Sequence, residues 1–283
     1  MPAGRALVKG GGEVGTAVAL ELWRAGWQVV VAELPRPTVL RRQLSVAEAA
    51  YSGEVWRDGV RVVRAPDAAT LEVLLLGYAA PGTLPAQRTA PLPLYVGPLA
   101  AALAILQPTL IVDARMRRAG PPERQTGEAP LVVGLGPLLR AGKDVDVVVE
   151  TCPGPALGEV IWTGTAQPHA PLRSHGDPSF TEQYAYAPAA GLWRTERRIG
   201  EEVAAGALLG TLDGAAVRAP TAGSLRGLVH DRVAVPARLK LAAVHPGDWQ
   251  RKEAGIGHRA ATIAASVLAL AEQQAVLAAA VAS

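Results

Sequence analysis

The chain has 283 residues, of which 49% are hydrophobic and 19% are charged, and its formal net charge is +3. This composition excludes a disordered chain, and the length predicts about two domains. The basic residues are scattered rather than gathered in one stripe. We therefore expect no nucleic-acid partner.

The single cysteine, Cys152, excludes an internal disulfide and a cysteine-rich zinc or iron–sulfur site. We expect a cytoplasmic protein without a signal peptide. The longest apolar stretch, residues 260–271, is about half a membrane span, so we expect no transmembrane helix and no membrane partner. Residues 257–283 have the composition of a helix, which we expect to pack against the N-terminal domain. A homo-oligomer formed through its Ala-rich faces is the alternative.

The N-terminal residues carry the pattern of a nucleotide-binding strand, turn and helix. A short apolar run at residues 6–9 leads into Gly10, Gly12, Glu13 and Gly15, and a helical pattern follows. In this context Gly10 permits a tight turn, Gly12 lets the backbone approach a pyrophosphate, and Gly15 allows close packing of helix on strand. The start of the helix, at Glu13, would offer N–H groups and positive potential to an anion.

Glu33 stands at the end of a second predicted strand, residues 27–32. An acid at this place in a dinucleotide-binding unit accepts hydrogen bonds from a ribose. The pattern predicts a bound nucleotide, with NAD(P) and FAD among the candidates. The alternative is a Rossmann-like fold in which the glycine turn is purely architectural.

Further strands are predicted at residues 92–96, 109–113, 131–133 and 145–150, and a hairpin is predicted around Asp58-Gly59. Several of these runs are almost continuously apolar, as in a mostly parallel sheet that is covered on both faces. The first domain is therefore predicted to be α/β and Rossmann-like.

Other candidate ligand-binding residues follow these strands. Because ligands of open α/β sheets bind outside the carboxyl ends of strands, the turns after two of them are expected to share a crevice with the glycine turn. Arginine pairs suit bidentate contacts with phosphate or carboxylate. The alternatives are that the acid and the arginine of the first turn pair with each other, and that the arginine pair is solvated. The candidates are Asp113, Arg115, Gly134, Gly136, Arg41 and Arg42.

Residues 187–212 and 219–244 are two copies of one pattern at an offset of 32, with 8 identities in 26 positions. Each copy opens on Ala-Pro and a glycine and continues with short apolar-alternating strands, which predicts two interlocking hairpin units. This part resembles the barrel-sandwich hybrid of biotinyl and lipoyl carrier domains. Such carriers attach their cofactor to a lysine where the halves join, but residues 212–215 here contain none. We therefore expect no biotin or lipoate.

The chain as a whole resembles the accessory-protein family of the selenium-dependent molybdenum hydroxylase system. The motifs occur in order over nearly the whole length, and it is their order and spacing that carry the resemblance. They are the glycine turn with Thr16, residues 41–49, 113–116, 130–137, 141–146 and 149–151, and the C-terminal Ala219-Pro220 with Gly223 and residues 225–228.

The resemblance implies a cytoplasmic protein that serves the maturation or assembly of a molybdenum hydroxylase of the xanthine dehydrogenase type, and that enzyme or its maturation proteins as partners. Two places depart from the family pattern. The family usually carries Arg-Gly-His after Glu-Thr, whereas residues 152–155 read Cys-Pro-Gly-Pro, and its Asp-Pro-Arg is replaced by His-Pro-Gly at residues 245–247. If the Arg and His perform chemistry in relatives, this chain lacks that chemistry or carries it out with other residues.

From these patterns we predict a nucleotide-binding domain at residues 1–185, a small all-β module at 186–250 and a C-terminal helix at 251–283. The alternative function is an NAD(P)-dependent oxidoreductase that acts on a small molecule. No dehydrogenase pair of catalytic residues has a recognisable spacing. His169, His175 and Asp177 match no metal motif, so no metal site is predicted.

Overall fold

The structure is a computed structural model that describes residues 3–77, 90–117, 120–168, 183–246 and 255–282. The chain divides into two compact units. Unit 1 consists of residues 1–35, 46–169 and 256–283, and unit 2 consists of residues 36–45 and 170–255. These boundaries differ from the predicted ones, because the C-terminal helix belongs to unit 1 and residues 36–45 belong to unit 2.

Unit 1 is an α/β unit built on one large sheet. Its strands are β1 (Arg5–Lys9), β2 (Gln28–Ala32), β3 (Glu54–Arg57), β4 (Val60–Ala65), β5 (Leu92–Tyr95), β6 (Leu110–Asp113), β7 (Leu131–Leu135), β8 (Arg140–Ala141), β9 (Val147–Val149), β10 (Val160–Ile161) and β11 (Gly164–Thr165). Nine of them form the sheet, in the order β10-β9-β7-β6-β1-β2-β5-β4-β3, and β8 pairs with β11 separately. The strands from β9 to β4 in that order run parallel, and the edge strands β10 and β3 are antiparallel to their neighbours.

Helices cover both faces of this sheet, as the continuous apolar strands predict. The helices are α1 (Glu13–Arg24), α2 (Ala49–Ser52), α3 (Ala68–Leu76), α4 (Leu99–Leu106) and α5 (His258–Ala282). Strand β1 shows how the faces divide, since Ala6 and Val8 join the core that contains α1 and α5. Leu7 points the other way, into the core that contains α3 and α4.

The hairpin between β3 and β4 has the predicted turn. Asp58 and Gly59 both have positive φ values, 45° and 78°, which is the conformation of a two-residue turn that favours Asp-Gly.

Helix α5 is long and apolar enough to cross a membrane by length and composition alone. In the structure one of its stripes, which includes Ile263 and Val267, is fully buried in the core that also contains α1. The prediction that this helix packs on the α/β domain is confirmed. This packing explains the apolar residues of that stripe, whereas Val276 and Leu277 near the end of the helix are exposed.

The described residues of unit 2 form β-strands and loops, apart from a short 3-10 helix at Arg42–Leu44. Its strands are β12 (Gln183–Tyr186), β13 (Gly191–Arg194), β14 (Glu202–Val203), β15 (Leu208–Leu212), β16 (Ala215–Arg218), β17 (Gly223–Leu228), β18 (Val233–Val235) and β19 (Lys240–His245). They form two four-stranded sheets, β12-β19-β17-β14 and β16-β15-β13-β18.

The two sequence copies exchange strands in equivalent ways. Gly191 of the first copy pairs with Val235 of the second, and Gly223 of the second pairs with Val203 of the first. Adding 32 to the number of Gly191 and subtracting 32 from that of Val235 turns the first pair into the second. Each sheet therefore contains strands from both copies, and neither copy completes a sheet alone.

Turn contacts follow the same exchange. The Gly206 N–H donates to the Ala219 carbonyl at 2.9 Å, and the Arg238 N–H donates to the Ala187 carbonyl at 2.8 Å. Gly206 and Arg238 occupy equivalent positions, and their φ values are 76° and 65°. The second copy thus holds an arginine in a conformation that favours glycine.

Candidate nucleotide-binding site

The strand order of unit 1 places a crevice at the carboxyl ends of β1 and β6. From β1 the chain passes to β2 and on to the edge strand β3, returns through β4 to β5, and then crosses to β6 on the other side of β1. Ligands of such sheets bind where the order reverses in this way. The residues that follow β1 and β6 at this reversal are the glycine turn and the segment from Ala114 onward.

The glycines of this turn are required for different reasons. Gly10 has a φ of 98°, and a Cβ there would lie 3.1 Å from the Arg115 Cα. A Cβ on Gly15 would overlap the carbonyl oxygen of Gly10. Gly12 has nothing within 4 Å of the position of a Cβ. Gly10 and Gly15 therefore serve the packing of turn, helix and strand, whereas space is open beside Gly12.

Helix α1 begins at this open position. Its N-cap residue is Gly12, which has no side chain to cap the first turn. Glu13 is the first helical residue, and its Oε1 lies 3.7 Å from the position of a Cβ on Gly257, next to the start of α5. The first turn of a helix presents N–H donors and positive potential, which suit an anionic group.

Glu33 is directed back over the glycine turn. Its Oε1 accepts a hydrogen bond from the Gly11 N–H at 3.0 Å, and its Oε2 accepts one from the Leu34 N–H at 2.7 Å. Burial raises the pKa of this carboxyl above its ordinary value, although both backbone hydrogen bonds oppose that shift. A carboxylate accepts about four hydrogen bonds, so Glu33 keeps acceptor capacity for the hydroxyls of a ligand.

The side chain of Thr16 holds the glycine turn in place through two hydrogen bonds. Its hydroxyl donates to the Gly11 carbonyl at 3.1 Å and accepts from the Val46 N–H at 3.0 Å. The Ala47 N–H also donates to the Gly11 carbonyl, at 3.1 Å. The turn is thus tied to the segment after β2 by side-chain and backbone bonds that a strand–helix pattern does not reveal.

A chain of buried charged and polar groups lies beside the turn. Lys9 at the end of β1 is 3% exposed, and its Nζ donates to Gln125 Oε1 and Glu128 Oε2, both at 2.7 Å. Gln125 in turn donates to Asp113 Oδ2 at 2.7 Å. Sequence reasoning missed this network. A lysine at the end of a buried strand could have indicated it, because lysines are rarely buried without a partner.

Asp113 and Arg115 bind each other, as the alternative interpretation predicted. The Arg115 Nη2 lies 2.6 Å from Asp113 Oδ2, and it also donates to Glu123 at 2.7 Å. Burial alone would raise the pKa of Asp113, but the hydrogen bonds and charge of Arg115 outweigh it and hold that pKa below its ordinary value. The pKa of Arg115 is raised, chiefly by its hydrogen bond to Asp113.

Gly134 and Gly136 lie at the end of β7, and Gly134 stands beside Asp113 in the parallel register. A Cβ on Gly134 would lie 2.9 Å from Leu139 Cδ1, so close packing is enough to explain that glycine. Gly136 has a φ of 97°. A ligand contact by either residue stays a prediction.

Arg41 and Arg42 lie in unit 2, not in the unit that carries the glycine turn. The Arg42 Nη1 lies 3.0 Å from His230 Nδ1 and 2.8 Å from His230 Nε2. A nitrogen almost equally distant from both ring nitrogens lies over the face of the imidazole. Their predicted role as ligand contacts stays a prediction.

The remaining residues considered in the sequence, a cysteine and three possible metal ligands, add nothing to this site. Cys152 is a free, half-buried thiol, and its N–H donates to the buried carboxylate of Glu150 at 2.7 Å. His169, His175 and Asp177 lie outside the described residues. Within the described ranges, no group of three or more His, Cys, Asp and Glu side chains could hold a metal ion.

Over 270 residues the chain is 30% identical to the uncharacterized protein YqeB of Escherichia coli (strain K12). The alignment covers 94% of this chain and 47% of that protein, so the chain spans about half the length of the curated relative that it matches. No family model matches the sequence.

Two solved structures align with most of the chain at low similarity. One is an aspartoacylase family protein of Mesorhizobium loti, with 9% identity, coverage of 88% of this chain and 86% of that one, and a TM-score of 0.25. The other is a succinylglutamate desuccinylase/aspartoacylase of Rhodobacter sphaeroides, with 12% identity, coverage of 87% and 86%, and a TM-score of 0.22. At such scores the likeness says nothing about the site.

Proposed function

We propose that this chain is a cytoplasmic accessory protein that binds a nucleotide or dinucleotide at its glycine turn and serves the maturation or assembly of a molybdenum hydroxylase. The observation that supports nucleotide binding is the open space beside Gly12 at the uncapped start of α1. A phosphate fits this place, because it would meet backbone N–H donors and no side chain.

Glu33 supports the same proposal from the neighbouring strand. Its carboxylate is held over the turn by the Gly11 N–H, where it would accept from the hydroxyls of a ribose whose phosphate lies at Gly12. An ionised acid there would repel a 2′-phosphate, so the arrangement favours an NAD-type ligand over an NADP-type ligand.

The role in hydroxylase maturation is supported by the family resemblance of the ordered motifs. The rival function, an NAD(P)-dependent oxidoreductase, has less support. On the β6 side of the crevice Asp113 and Arg115 form an ion pair with each other. Lys9 donates hydrogen bonds to Gln125 and Glu128. One of these side chains would have to break its ion pair or hydrogen bonds before it could act as a catalytic acid or base.

We also propose that unit 2 is a barrel-sandwich-like module that carries no covalent cofactor and acts by contact. The exchange of equivalent strands between the two copies supports this fold. At the joint, Asp213 accepts a hydrogen bond from the Leu192 N–H at 3.0 Å, where a carrier would present a lysine. Intact-mass measurement after coexpression with biotin and lipoyl ligases should give the mass of the polypeptide alone.

Thermal-shift titration with NAD, NADP, FAD, CTP and ATP tests nucleotide binding. A ligand at 100 times its dissociation constant adds about 2.7 kcal/mol of stability. Gly12→Val should remove this gain, because its side chain would occupy the phosphate position, while the unliganded protein stays folded. If none of the five compounds stabilises the wild type, the proposal fails.

The proposed role in the maturation of a molybdenum hydroxylase is tested by co-purification. A tagged chain, isolated from cells that produce a molybdenum hydroxylase, should co-purify with that enzyme or its maturation proteins. Mass spectrometry of the small molecules released on denaturation would identify a nucleotide or a pterin. Absence of both the enzyme and its maturation proteins would contradict the accessory role.

A further inference from the structure

The side-chain amide of Gln125 lies between two buried charges of unit 1. Its Oε1 accepts a hydrogen bond from Lys9 Nζ, and its Nε2 donates one to Asp113 Oδ2, both at 2.7 Å. Lys9 and Asp113 are the last residues of the neighbouring strands β1 and β6, and they are partners in the parallel register. Within the described residues these two charges form no ion pair with each other. The amide joins them instead.

The amide comes from a loop that is otherwise outside the core. Residues 120–128 form no helix or strand, and Gln125 is their only buried residue. The loop also forms ion pairs through Glu123 and Glu128, whose side chains are 51% and 34% exposed, and water weakens such pairs. The Gln125 N–H donates to the Asp144 carbonyl at 2.7 Å. Few interactions besides those of the amide therefore hold this loop against the sheet.

Withdrawal of the loop does not leave the two charges isolated. Neighbouring strands of a sheet lie about 4.8 Å apart, so Lys9 and Asp113 are close enough to pair directly or to share another polar group. Asp113 also keeps the hydrogen bonds from the Arg115 side chain. The amide of Gln125, called the plug below, can therefore leave its place without exposing an uncompensated charge.

The two charges select the chemistry of the group that lies between them. Lys9 offers only donors, and ionised Asp113 offers only acceptors. A primary carboxamide satisfies both, because it carries a carbonyl oxygen and an NH2 group on one carbon atom. A carboxylate would turn an acceptor towards Asp113, and an ammonium group would turn a like charge towards Lys9.

This place lies on the side of the crevice where the second half of a dinucleotide is expected. Lys9 directly precedes Gly10, and a Cβ on Gly10 would lie 3.1 Å from the Arg115 Cα. Dinucleotides bind across the crevice where the strand order reverses. Glu33 follows β2 on one side of β1, and Asp113 ends β6 on the other side.

We propose that Lys9 and Asp113 form a binding site for a primary carboxamide, such as that of a nicotinamide ring, and that Gln125 occupies this site until the ligand displaces it. The link to a dinucleotide rests on the proposed function, whereas the carboxamide site itself does not. Loop 120–128 is then a gate that the ligand opens by taking over the two hydrogen bonds of the plug.

Calorimetric titration of the full chain with nicotinamide measures the competition with the plug. Gln125→Ala should bind nicotinamide at least about tenfold more tightly than the wild type, because the ligand no longer has to displace charge-assisted hydrogen bonds. Thr126→Ala is the matched control on the same loop. Its hydroxyl accepts from Arg124, so its loss should leave the affinity unchanged. If Gln125→Ala binds nicotinamide no more tightly than the wild type, the proposal is wrong.

The acceptor side of the site is tested in the Gln125→Ala background. There Asp113→Asn should weaken nicotinamide binding about tenfold, the loss expected for a charge-assisted hydrogen bond. It should also narrow the preference for nicotinamide over nicotinic acid, because the charge that repels the carboxylate is gone. An unchanged preference would remove Asp113 from the site.

Hydrogen exchange of the wild type tests the gate without any variant, so it decides the question even where Gln125→Ala does not fold. Nicotinamide at millimolar concentration should speed up the exchange of backbone N–H groups in residues 120–128, because it expels the plug. A ligand that only stabilises the folded state would slow this exchange. Nicotinic acid should have no effect. Exchange that nicotinamide leaves unchanged or slows would contradict the gate.

The same measurements separate this site from the glycine turn, because nicotinamide carries no phosphate. If NAD stabilises the wild type but neither NAD nor nicotinamide speeds up the exchange of residues 120–128, nucleotide binding stands and the carboxamide site is wrong. If nicotinamide expels the plug and no nucleotide stabilises the protein, the carboxamide site stands and the proposed nucleotide binding fails.

Discussion

The two units stabilise their interiors in different ways. Unit 1 buries the charged side chains of Lys9, Asp113, Asp144 and Glu150. In the described part of unit 2 the buried polar side chains are those of Ser45 and Ser224. The difference teaches that unit 1 depends on hydrogen-bond networks of polar and charged side chains at the ends of its strands, whereas unit 2 depends on apolar packing and backbone pairing. Stability should therefore respond to the loss of a charged partner in unit 1 and to side-chain volume in unit 2.

The largest expected effect is in unit 2. Trp193 is the largest fully buried side chain in the described part of unit 2, and its Nε1 donates to the Val229 carbonyl at 3.2 Å. Trp193→Ala should lower the free energy of unfolding by about 4 kcal/mol, because the cavity adds to the lost burial. Hydrogen exchange of peptides from residues 183–246 would measure it. Trp56→Ala, at a side chain that is 61% exposed, is the control and should cost less than about 0.5 kcal/mol.

Asp113→Ala probes the buried network of unit 1. Its removal takes away the acceptor that the Arg115 guanidinium and the Gln125 amide share, although Arg115 keeps its contact with Glu123. Breaking a fully buried pair costs about 3–5 kcal/mol. The Arg115 side chain is 29% exposed, so about 2–3 kcal/mol is expected. The control is Glu54→Ala, which breaks an exposed ion pair with Arg61 and should cost at most about 1 kcal/mol.

The same variant has a defined pH dependence. The folded pKa of Asp113 lies below its unfolded value, so the ionised carboxylate stabilises the protein above the unfolded pKa of about 3.9. This contribution is lost as the pH falls through the folded pKa. Wild type and Asp113→Ala should differ at pH 7 and converge in strong acid. A difference that is equal at both pH values would show that the charge is not what stabilises unit 1.

A smaller gain is expected in the second copy of the repeat. Arg238 has a φ of 65° where the first copy has Gly206, and the left-handed region costs a non-glycine residue about 1–2 kcal/mol. Glycine loses more chain entropy on folding, by about 0.5–1 kcal/mol, so Arg238→Gly should stabilise unit 2 by up to about 1 kcal/mol. Chemical denaturation measures the gain. Arg194→Gly, in strand β13, should destabilise instead, and stabilisation by both changes would contradict the conformational explanation.

The smallest expected effect has the opposite pH sign to that of Asp113. Burial raises the folded pKa of Glu33 above 4.5, so the folded state holds this proton more tightly than the unfolded state. Wild-type stability should therefore decrease as the pH rises from 4.5 through the folded pKa, relative to Glu33→Gln. Denaturation curves between acid and neutral pH check this. The exposed Glu72→Gln is the control, and a wild type that gains stability over Glu33→Gln in that window would contradict the shift.

Local patterns predicted most of the elements of unit 1. The run of residues 6–9, the glycines and the helical pattern specified β1, the turn and α1, and Asp58-Gly59 specified a hairpin turn. The repeat also appeared in sequence, because each copy repeats its own turn residues. In each case the relevant residues are close together in the chain, so local conformational preference carries the information.

Long-range partners could not be predicted in the same way. Lys9 meets Gln125 and Glu128 across 116 and 119 residues, and no local pattern specifies that meeting. Arg41 and Arg42 follow β2 in sequence, yet their segment packs in unit 2 because Leu40 bonds to Leu228. The nucleotide role of the glycine turn stays a prediction.

Helix α5 has a consequence for synthesis on the ribosome. It supplies part of the core around α1, but it follows every strand of both units in the chain. During translation the α1 face of the large sheet is covered by α1 but not by α5 until residues 258–282 emerge, whereas the described strands of unit 2 have all been made. The nascent chain must therefore keep part of an apolar face exposed through the synthesis of a second unit, which is the situation in which aggregation competes with folding.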